Sequence, residues 1–254
     1  MGTTNKIALV TGGSRGLGRD AALQLAGKGI DVIITYRSQK EEADAVVTAI
    51  GQKGQKGAAL ALNASDVSTF DAFFRELAGV LKEKWGREQF DFLINNAGID
   101  ASSRFAETSE EAFDSLFLVH FKGVYFLTQK ALPLLADKGR IVNLSTGLTR
   151  FATPGYAAYA SMKGAIEVLT KYLAKELGHR GITANLVAPG ITKTDFTRPA
   201  FEHNPQLEAF MSAQTALGRV GVPEDIGGVI AFLCSEEARW VTAQRIEASG
   251  GLFL

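Results

Sequence analysis

Short runs of β-branched and apolar residues alternate along the chain with longer segments in which apolar positions recur every three or four residues. That alternation predicts a parallel sheet whose strands are joined by crossover helices. Strands are expected at Ile7–Thr11, Asp31–Tyr36, Ala58–Leu62, Phe90–Asn95, Arg140–Thr146, Thr183–Ala188 and Gln244–Glu247. Helices are expected at Leu17–Lys28, Glu41–Gly51, Ser68–Trp85, Glu110–Asp137, Gly155–Gly178 and Pro223–Cys234. In the segment Gly155–Gly178, Tyr159, Lys163, Ile166 and Thr170 follow one another at helical spacing. The stretch Gly190–Ala216 breaks the alternation. It is polar, carries Pro199 and Pro205, and has only a weak helical period around Leu207–Met211, so it reads as a mobile excursion over a site.

Composition narrows the classes. A chain of 254 residues with no linker or internal repeat fits one α/β domain, 1–254, with 191–216 as a substrate-covering segment inside it. The 27 basic and 27 acidic side chains cancel, which leaves no charge excess to drive nucleic-acid binding. The single cysteine, Cys234, lies in an apolar run and reads as a buried, inert thiol. The apolar run Ile226–Cys234 falls well short of the roughly 18 residues that a membrane span needs. Met1–Lys6 leads straight into the first strand, without a leader's apolar core, and Lys6 stands where a myristoylation signal wants Ser or Thr. A cytoplasmic protein without a membrane partner is expected.

The first expected strand ends in Thr11-Gly12-Gly13-Ser14-Arg15-Gly16-Leu17-Gly18, and a helix follows at once. Glycines there let the chain turn sharply and bring backbone N–H groups and a helix N-terminus against a pyrophosphate. The spacing G-x-x-x-G-x-G resembles that of the short-chain dehydrogenase/reductase family. So do Asn95-Asn96-Ala97-Gly98 after the fourth strand, Tyr159-x-x-x-Lys163 in a helix, and Pro189-Gly190 after the sixth. The resemblance implies a doubly wound, Rossmann-like sheet of seven parallel strands ordered 3-2-1-4-5-6-7, a nicotinamide cofactor, and hydride transfer to or from a carbonyl or alcohol. It places cofactor contacts at Gly12, Ser14, Arg15, Gly16, Leu17, Gly18, Asn63, Ala64, Asn95, Ala97, Gly98, Pro189 and Gly190. Thr192 would hold the carboxamide through its backbone, and Thr194 would bond the cofactor.

Charge bears on which cofactor. An acid about 20 residues beyond the glycines takes the ribose hydroxyls of NAD. Here the end of the second strand reads Thr35-Tyr36-Arg37-Ser38, with no acid. Arg37 and Arg15 offer guanidinium groups for a 2′-phosphate, so NADP(H) is preferred over NAD(H). Asn63 stands where the family usually carries Asp for the adenine edge, and its amide keeps a hydrogen-bonding group there.

Tyr159 and Lys163 share one helix face, which puts an ammonium beside a phenol and favours phenolate. Tyr159 is the acid/base candidate; by resemblance Lys163 also holds the nicotinamide ribose. Tyr156 has no lysine four residues on. The family's substrate-holding hydroxyl lies thirteen residues before the tyrosine, at Thr146, with Ser145 as the neighbouring alternative. The family's helix-kinking Asn corresponds to His120, which either joins a proton relay, adding an ionisation near neutrality, or packs the helix. Neither His179 nor His203 clusters with other ligands, so no metal is expected.

The expected activity is NADPH-dependent reduction of ketones or aldehydes, reversible as alcohol oxidation. Two alternatives stay open: a 3-oxoacyl carrier-protein reductase, for which Arg180 would belong to a basic docking face, and a cofactor-binding sensor. The loop Ile99–Ala106 and the aromatics Phe196, Phe201 and Phe210 with Met211 are candidates for a pocket or lid. Phe113, Phe117, Phe121 and Phe126 give the Glu110–Asp137 segment more apolar surface than a sheet can cover, which points to a homodimer or homotetramer.

Overall fold

A computed structural model describes residues 5–100 and 102–254 of the chain. Ala101 and the first four residues, on which the leader and myristoylation readings largely rest, lie outside it. Among the described residues seven parallel strands form one sheet: β1 Ile7–Val10, β2 Asp31–Tyr36, β3 Gly57–Ala61, β4 Phe90–Asn95, β5 Leu135–Leu144, β6 Thr183–Pro189 and β7 Arg245–Ala248. Their spatial order is β3-β2-β1-β4-β5-β6-β7, as the resemblance implied. The helices are α1 Gly16–Gly27, α2 Lys40–Gln52, α3 Phe70–Trp85, α4 Glu110–Phe117, α5 Val124–Ala131, α6 Ala157–Leu177, α7 Arg198–His203, α8 Leu207–Ala213 and α9 Glu224–Leu233.

Strand parity builds two cores. Ala8 and Val10 of β1 face a cluster completed by Ala21, Ala22 and Leu25 of α1 and Ile226 and Ile230 of α9. Ile7 and Leu9 face the opposite cluster, with Phe70, Phe73 and Leu77 of α3 and Leu127 of α5. All four β1 residues are fully buried, because a parallel strand covered on both faces is apolar throughout. The strand order reverses between β1 and β4. A crevice therefore opens beyond their C-terminal ends, where ligands bind in such sheets.

The structure corrects three expected elements. The helix expected over Glu110–Asp137 is α4, a six-residue π-helical stretch Leu118–Gly123, and then α5, which ends at Ala131. Pro133 cannot continue a helix, and the next residues join the sheet instead, Leu135 pairing with Phe90. The excursion Gly190–Ala216 contains α7, with Pro199 in its first turn, where a proline costs no intrahelical hydrogen bond. Last, β7 runs one residue later than expected, its register set by pairing Arg245–Ala248 with Leu186–Pro189. Among the described residues no helix is long and apolar enough to cross a membrane.

Candidate active site

The turn after β1 is held from β4. Asn96 Nδ2 donates to the carbonyls of Thr11 (2.9 Å) and Gly12 (3.1 Å). Thr11 Oγ1 accepts from the N–H groups of Asn96 and Ala97 at 2.9 and 3.0 Å. Gly12 has φ +64°, and a Cβ there would stand 2.9 Å from Ala97 Cα; at Gly18 it would meet Gly12 O at 2.3 Å. Only glycine permits both approaches. Arg15 is the N-cap of α1, yet no side chain caps that terminus and no acid occupies its first turn. Its leading N–H groups, about Ser14, Gly16 and Leu17, are thus available to an anion, which fits a cofactor pyrophosphate. Thr194 lies over the same turn, 3.7 Å from where a Gly16 Cβ would be.

Toward β2, Gly13 N donates to Thr35 O (2.9 Å) and Gly12 N to Thr35 Oγ1 (3.1 Å). This brings the strand end carrying Arg37 to the glycine turn. Arg37 and Arg15 are exposed, and among the described residues neither pairs with a carboxylate. Asn63 Oδ1 accepts from Ser65 N and Oγ at 3.3 and 2.8 Å, which leaves its NH2 group free of that turn. Ala64 O would lie 2.1 Å from a Cβ on Gly123, so glycine at the end of the π-helical stretch lets the two segments touch.

At the ends of β5 and β6 the reacting groups gather. Thr146 lies beside the Tyr159 phenol and opposes part of the rise in its pKa, and its hydroxyl accepts a hydrogen bond from Leu148 N (3.3 Å). Ser145 points to the other side, donating to Glu167 Oε1 at 2.7 Å. Strand alternation separates the two hydroxyls, so the structure places Thr146, and not Ser145, at the phenol. Lys163 is buried, its Nζ 5.7 Å from the Tyr159 ring centroid and donating to Leu144 O at 2.8 Å. Burial lowers its pKa to about 8. Burial, then the charge of Asp100, raise the pKa of Tyr159, and Thr146 only partly opposes them. The phenol is held protonated, poised as an acid.

His120 sits in the π-helical stretch, 1% exposed, with Nε2 at 2.8 Å from Ile99 O and 3.2 Å from Ile99 N. Nδ1 is buried without a partner. Burial, and then the nearby Lys163 charge, lower its pKa to about 3. Burial thus works against the ionisation expected near neutrality, for want of solvation.

Asn95 also departs from its expected role. Its side chain turns into the interior, donating to Thr128 Oγ1 (3.0 Å) and Asn143 Oδ1 (2.8 Å); Asn96, overlooked as a site residue, faces the glycine turn. Ala97 packs on the glycine turn, and a Cβ on Gly98 would stand 2.9 Å from His120 Cε1. A Cβ on Gly190 would stand 2.8 Å from Ser249 Cα, so only glycine lets the Pro189-Gly190 turn pack this closely on Ser249. Thr192 donates from its hydroxyl to Gly190 O at 3.0 Å, and Thr197 Oγ1 donates to Thr192 O at 2.6 Å.

Of the lid aromatics, Phe196 reaches the site, its ring centroid 6.4 Å from that of Tyr159, whereas Phe210 is exposed. A cleft of about 470 Å³ opens beside the start of α6, between Arg104 and Phe105 on one wall and Leu148, Pro154, Tyr156 and Ala160 on the other. The Ile99–Ala106 loop therefore does line a pocket. Ser102 opposes part of the burial-driven rise in the Tyr156 pKa. Asp100 was missed, and the acid two residues beyond the Asn-Asn-Ala-Gly turn was the available signal; Tyr156, set aside as the acid/base candidate for want of a lysine four residues on, lines the cleft. Among the described residues no group of His, Cys, Asp and Glu could hold a metal ion.

Comparison with known proteins agrees with this geometry. A family model described as enoyl-(acyl carrier protein) reductase matches residues 12–253. An uncharacterized oxidoreductase of Methylorubrum extorquens is 41% identical over 247 residues, covering 97% of each chain. A 3-oxoacyl-[acyl-carrier-protein] reductase of Staphylococcus aureus is 38% identical over 251 residues, covering 98% of each. Two solved structures superpose with TM-score 0.93 at 38% identity. One is the promiscuous reductase LugOII, which catalyses keto-reduction at C1 in lugdunomycin biosynthesis, with 99% of both chains covered. The other is the angucycline C-6 ketoreductase LanV with bound NADP, covering 99% of this chain and 97% of that one.

Proposed function

The chain belongs to the short-chain dehydrogenase/reductase family of oxidoreductases, and from that premise we propose that it is an NADP(H)-dependent reductase of ketones or aldehydes. The observation that carries the reading is the Tyr159 phenol beside Thr146, with the buried Lys163 Nζ 5.7 Å from its ring. The uncapped α1 terminus and Thr194 would hold the pyrophosphate, Arg15 and Arg37 the 2′-phosphate, and Lys163 the nicotinamide ribose. The reduced nicotinamide supplies the hydride. Thr146 and Tyr159 donate hydrogen bonds to the substrate carbonyl oxygen, which favours the charge that develops there. Tyr159 then gives up its proton to that oxygen, and the Lys163 ammonium steadies the phenolate left behind. Phe196 and the α7–α8 segment shield the site from water.

The angucycline ketoreductase LanV, solved with rabelomycin, and LugOII of lugdunomycin biosynthesis make rabelomycin-like polycyclic ketones the first compounds to test, and the mostly apolar cleft between Phe105 and Pro154 is where they would bind. Carrier-protein ketoacyl reduction has the support of the Staphylococcus relative. Arg180 argues against it, because its guanidinium is engaged by Asp137 Oδ1 (2.8 Å), Leu132 O (3.0 Å) and Leu135 O and is not free to dock a partner. The same reading carries a cytoplasmic location and a homodimer or homotetramer. The test is NADPH consumption against a panel of polycyclic ketones, small ketones, aldehydes and a ketoacyl thioester. Binding of NADPH with no consumption on any of them would leave the sensor reading instead.

A further inference from the structure

Behind Thr146 lies a knot of ionic hydrogen bonds that the reaction chemistry does not use directly. One carboxylate oxygen, Glu167 Oε1, receives three donors: Ser145 Oγ at 2.7 Å, Thr149 Oγ1 at 2.6 Å and Arg245 Nε at 2.8 Å. The same guanidinium donates through Nη2 to Thr146 O at 2.9 Å and to Thr149 Oγ1 at 3.2 Å, and through Nη1 to Glu247 Oε2. Residues on both sides of Thr146, and its own carbonyl, are thus fixed to two charged side chains. Burial favours the neutral Glu167 acid, but the bonds from Thr149, Ser145 and Arg245 outweigh it and hold the carboxylate ionised.

The origin of each partner gives the knot its meaning. Glu167 lies on α6 one turn past Lys163, which itself lies one turn past Tyr159. A single helix therefore carries the phenol beside Thr146 and, about 12 Å along its axis, the carboxylate that grips Ser145 and Thr149 on either side of Thr146. Arg245 arrives from β7 and reaches past β6 to the end of β5. Charge-assisted bonds from two elements define where this strand end can sit. We infer that Glu167 and Arg245 are positioning residues that set where Thr146 presents its hydroxyl to Tyr159 and to the substrate oxygen, an inference that rests on the reductase reading above. Neither touches the reacting atoms. Their effect on rate runs through Thr146, where misplacement on the ångström scale costs orders of magnitude.

The test is a double-mutant cycle, read as single-turnover NADPH oxidation with enzyme in excess so that slow variants stay measurable. Glu167→Gln keeps the volume and one oxygen acceptor while removing the charge. It should slow ketone reduction about tenfold, with the KM for NADPH within about twofold of wild type. In a Thr146→Ala background the same substitution should change the rate less than about twofold, since no hydroxyl remains to be placed. An equal slowing in both backgrounds, which a merely structural role would give, overturns the inference, as does no slowing in either. Should Glu167→Gln fail to fold, Arg245→Lys reads the same cycle from β7. Wild-type protein that consumes no NADPH with any ketone overturns the reductase reading itself and the inference with it. Normal wild-type turnover with an unaffected Glu167→Gln variant overturns the inference alone.

Discussion

The imidazole of His120 stands edge-on to the ring of Tyr159, with centroids 5.0 Å apart and planes at 88°. Packed in this way and bonded only to the Ile99 backbone, His120 contributes shape and a neutral hydrogen-bonding group to the acid's surroundings.

Its desolvation has a measurable consequence. The folded chain withholds a proton that the unfolded imidazole takes up below 6.5, down to a folded pKa of about 3. Between these values the unfolded state binds more protons, so stability falls as pH falls through that window, by on the order of 3–5 kcal/mol in all. His120→Asn should flatten the decline in Tm from pH 7 to pH 4 while leaving the turnover profile unchanged near neutrality. A wild-type ionisation of turnover near pH 6.5 that disappears in the variant would restore the relay role.

Tyr159→Phe removes the proton donor and leaves the phosphate contacts in place. Ketone reduction should fall at least a hundredfold, the scale of general acid catalysis, with NADPH affinity by fluorescence titration nearly unchanged. Activity within tenfold of wild type would exclude Tyr159 as the acid.

The Lys163 ammonium is lost as pH rises through about 8. The kcat/KM for reduction, which reports groups of the free enzyme, should decline above that pH. A guanidinium stays charged throughout, so in Lys163→Arg the decline should move beyond pH 10, at a lower plateau. An unmoved limb assigns it to another group.

Arg37→Ala should weaken NADPH by about one to two decades and NADH hardly at all, because one charge-assisted bond to the 2′-phosphate is worth roughly 1.5–3 kcal/mol. Equal losses for both cofactors would show that Arg37 does not contact that phosphate.

Phe113, Tyr125, Val168 and Tyr172 on α4, α5 and α6 are all more than 40% exposed. Large apolar side chains clustered in this way mark a surface that associates. Light scattering at micromolar concentration should give a dimer or tetramer, and Val168→Lys with Tyr172→Glu should shift it toward monomer. A wild-type monomer removes the proposal.

Local pattern carried much of this architecture. The β2 and β4 boundaries, Asp31–Tyr36 and Phe90–Asn95, follow from apolar runs bounded by turn residues, and the glycine turn follows from spacing alone. Each depends on interactions within a few residues, which sequence order already contains. The break of the Glu110–Asp137 segment was less legible, because its apolar positions serve α4, the π-helical stretch and α5 in turn. Only the pairing of Leu135 with Phe90 shows where strand replaces helix.

Orientation at the strand ends was decided by the tertiary structure. Asn95 and Asn96, like Ser145 and Thr146, are chemically near-equivalent neighbours, and which one faces the site depends on what packs against each. Asn143 and Thr128 draw Asn95 inward, and Glu167 draws Ser145 away from Tyr159. Likewise Glu167 and Arg245 are 78 residues apart and form no motif; only the neighbouring of α6, β5 and β7 brings their charges together. Sequence by itself determined the kinds of groups available and the strands and helices that carry them. Folding decided which groups meet, because burial and long-range hydrogen bonds arise between segments that have no fixed spacing along the chain.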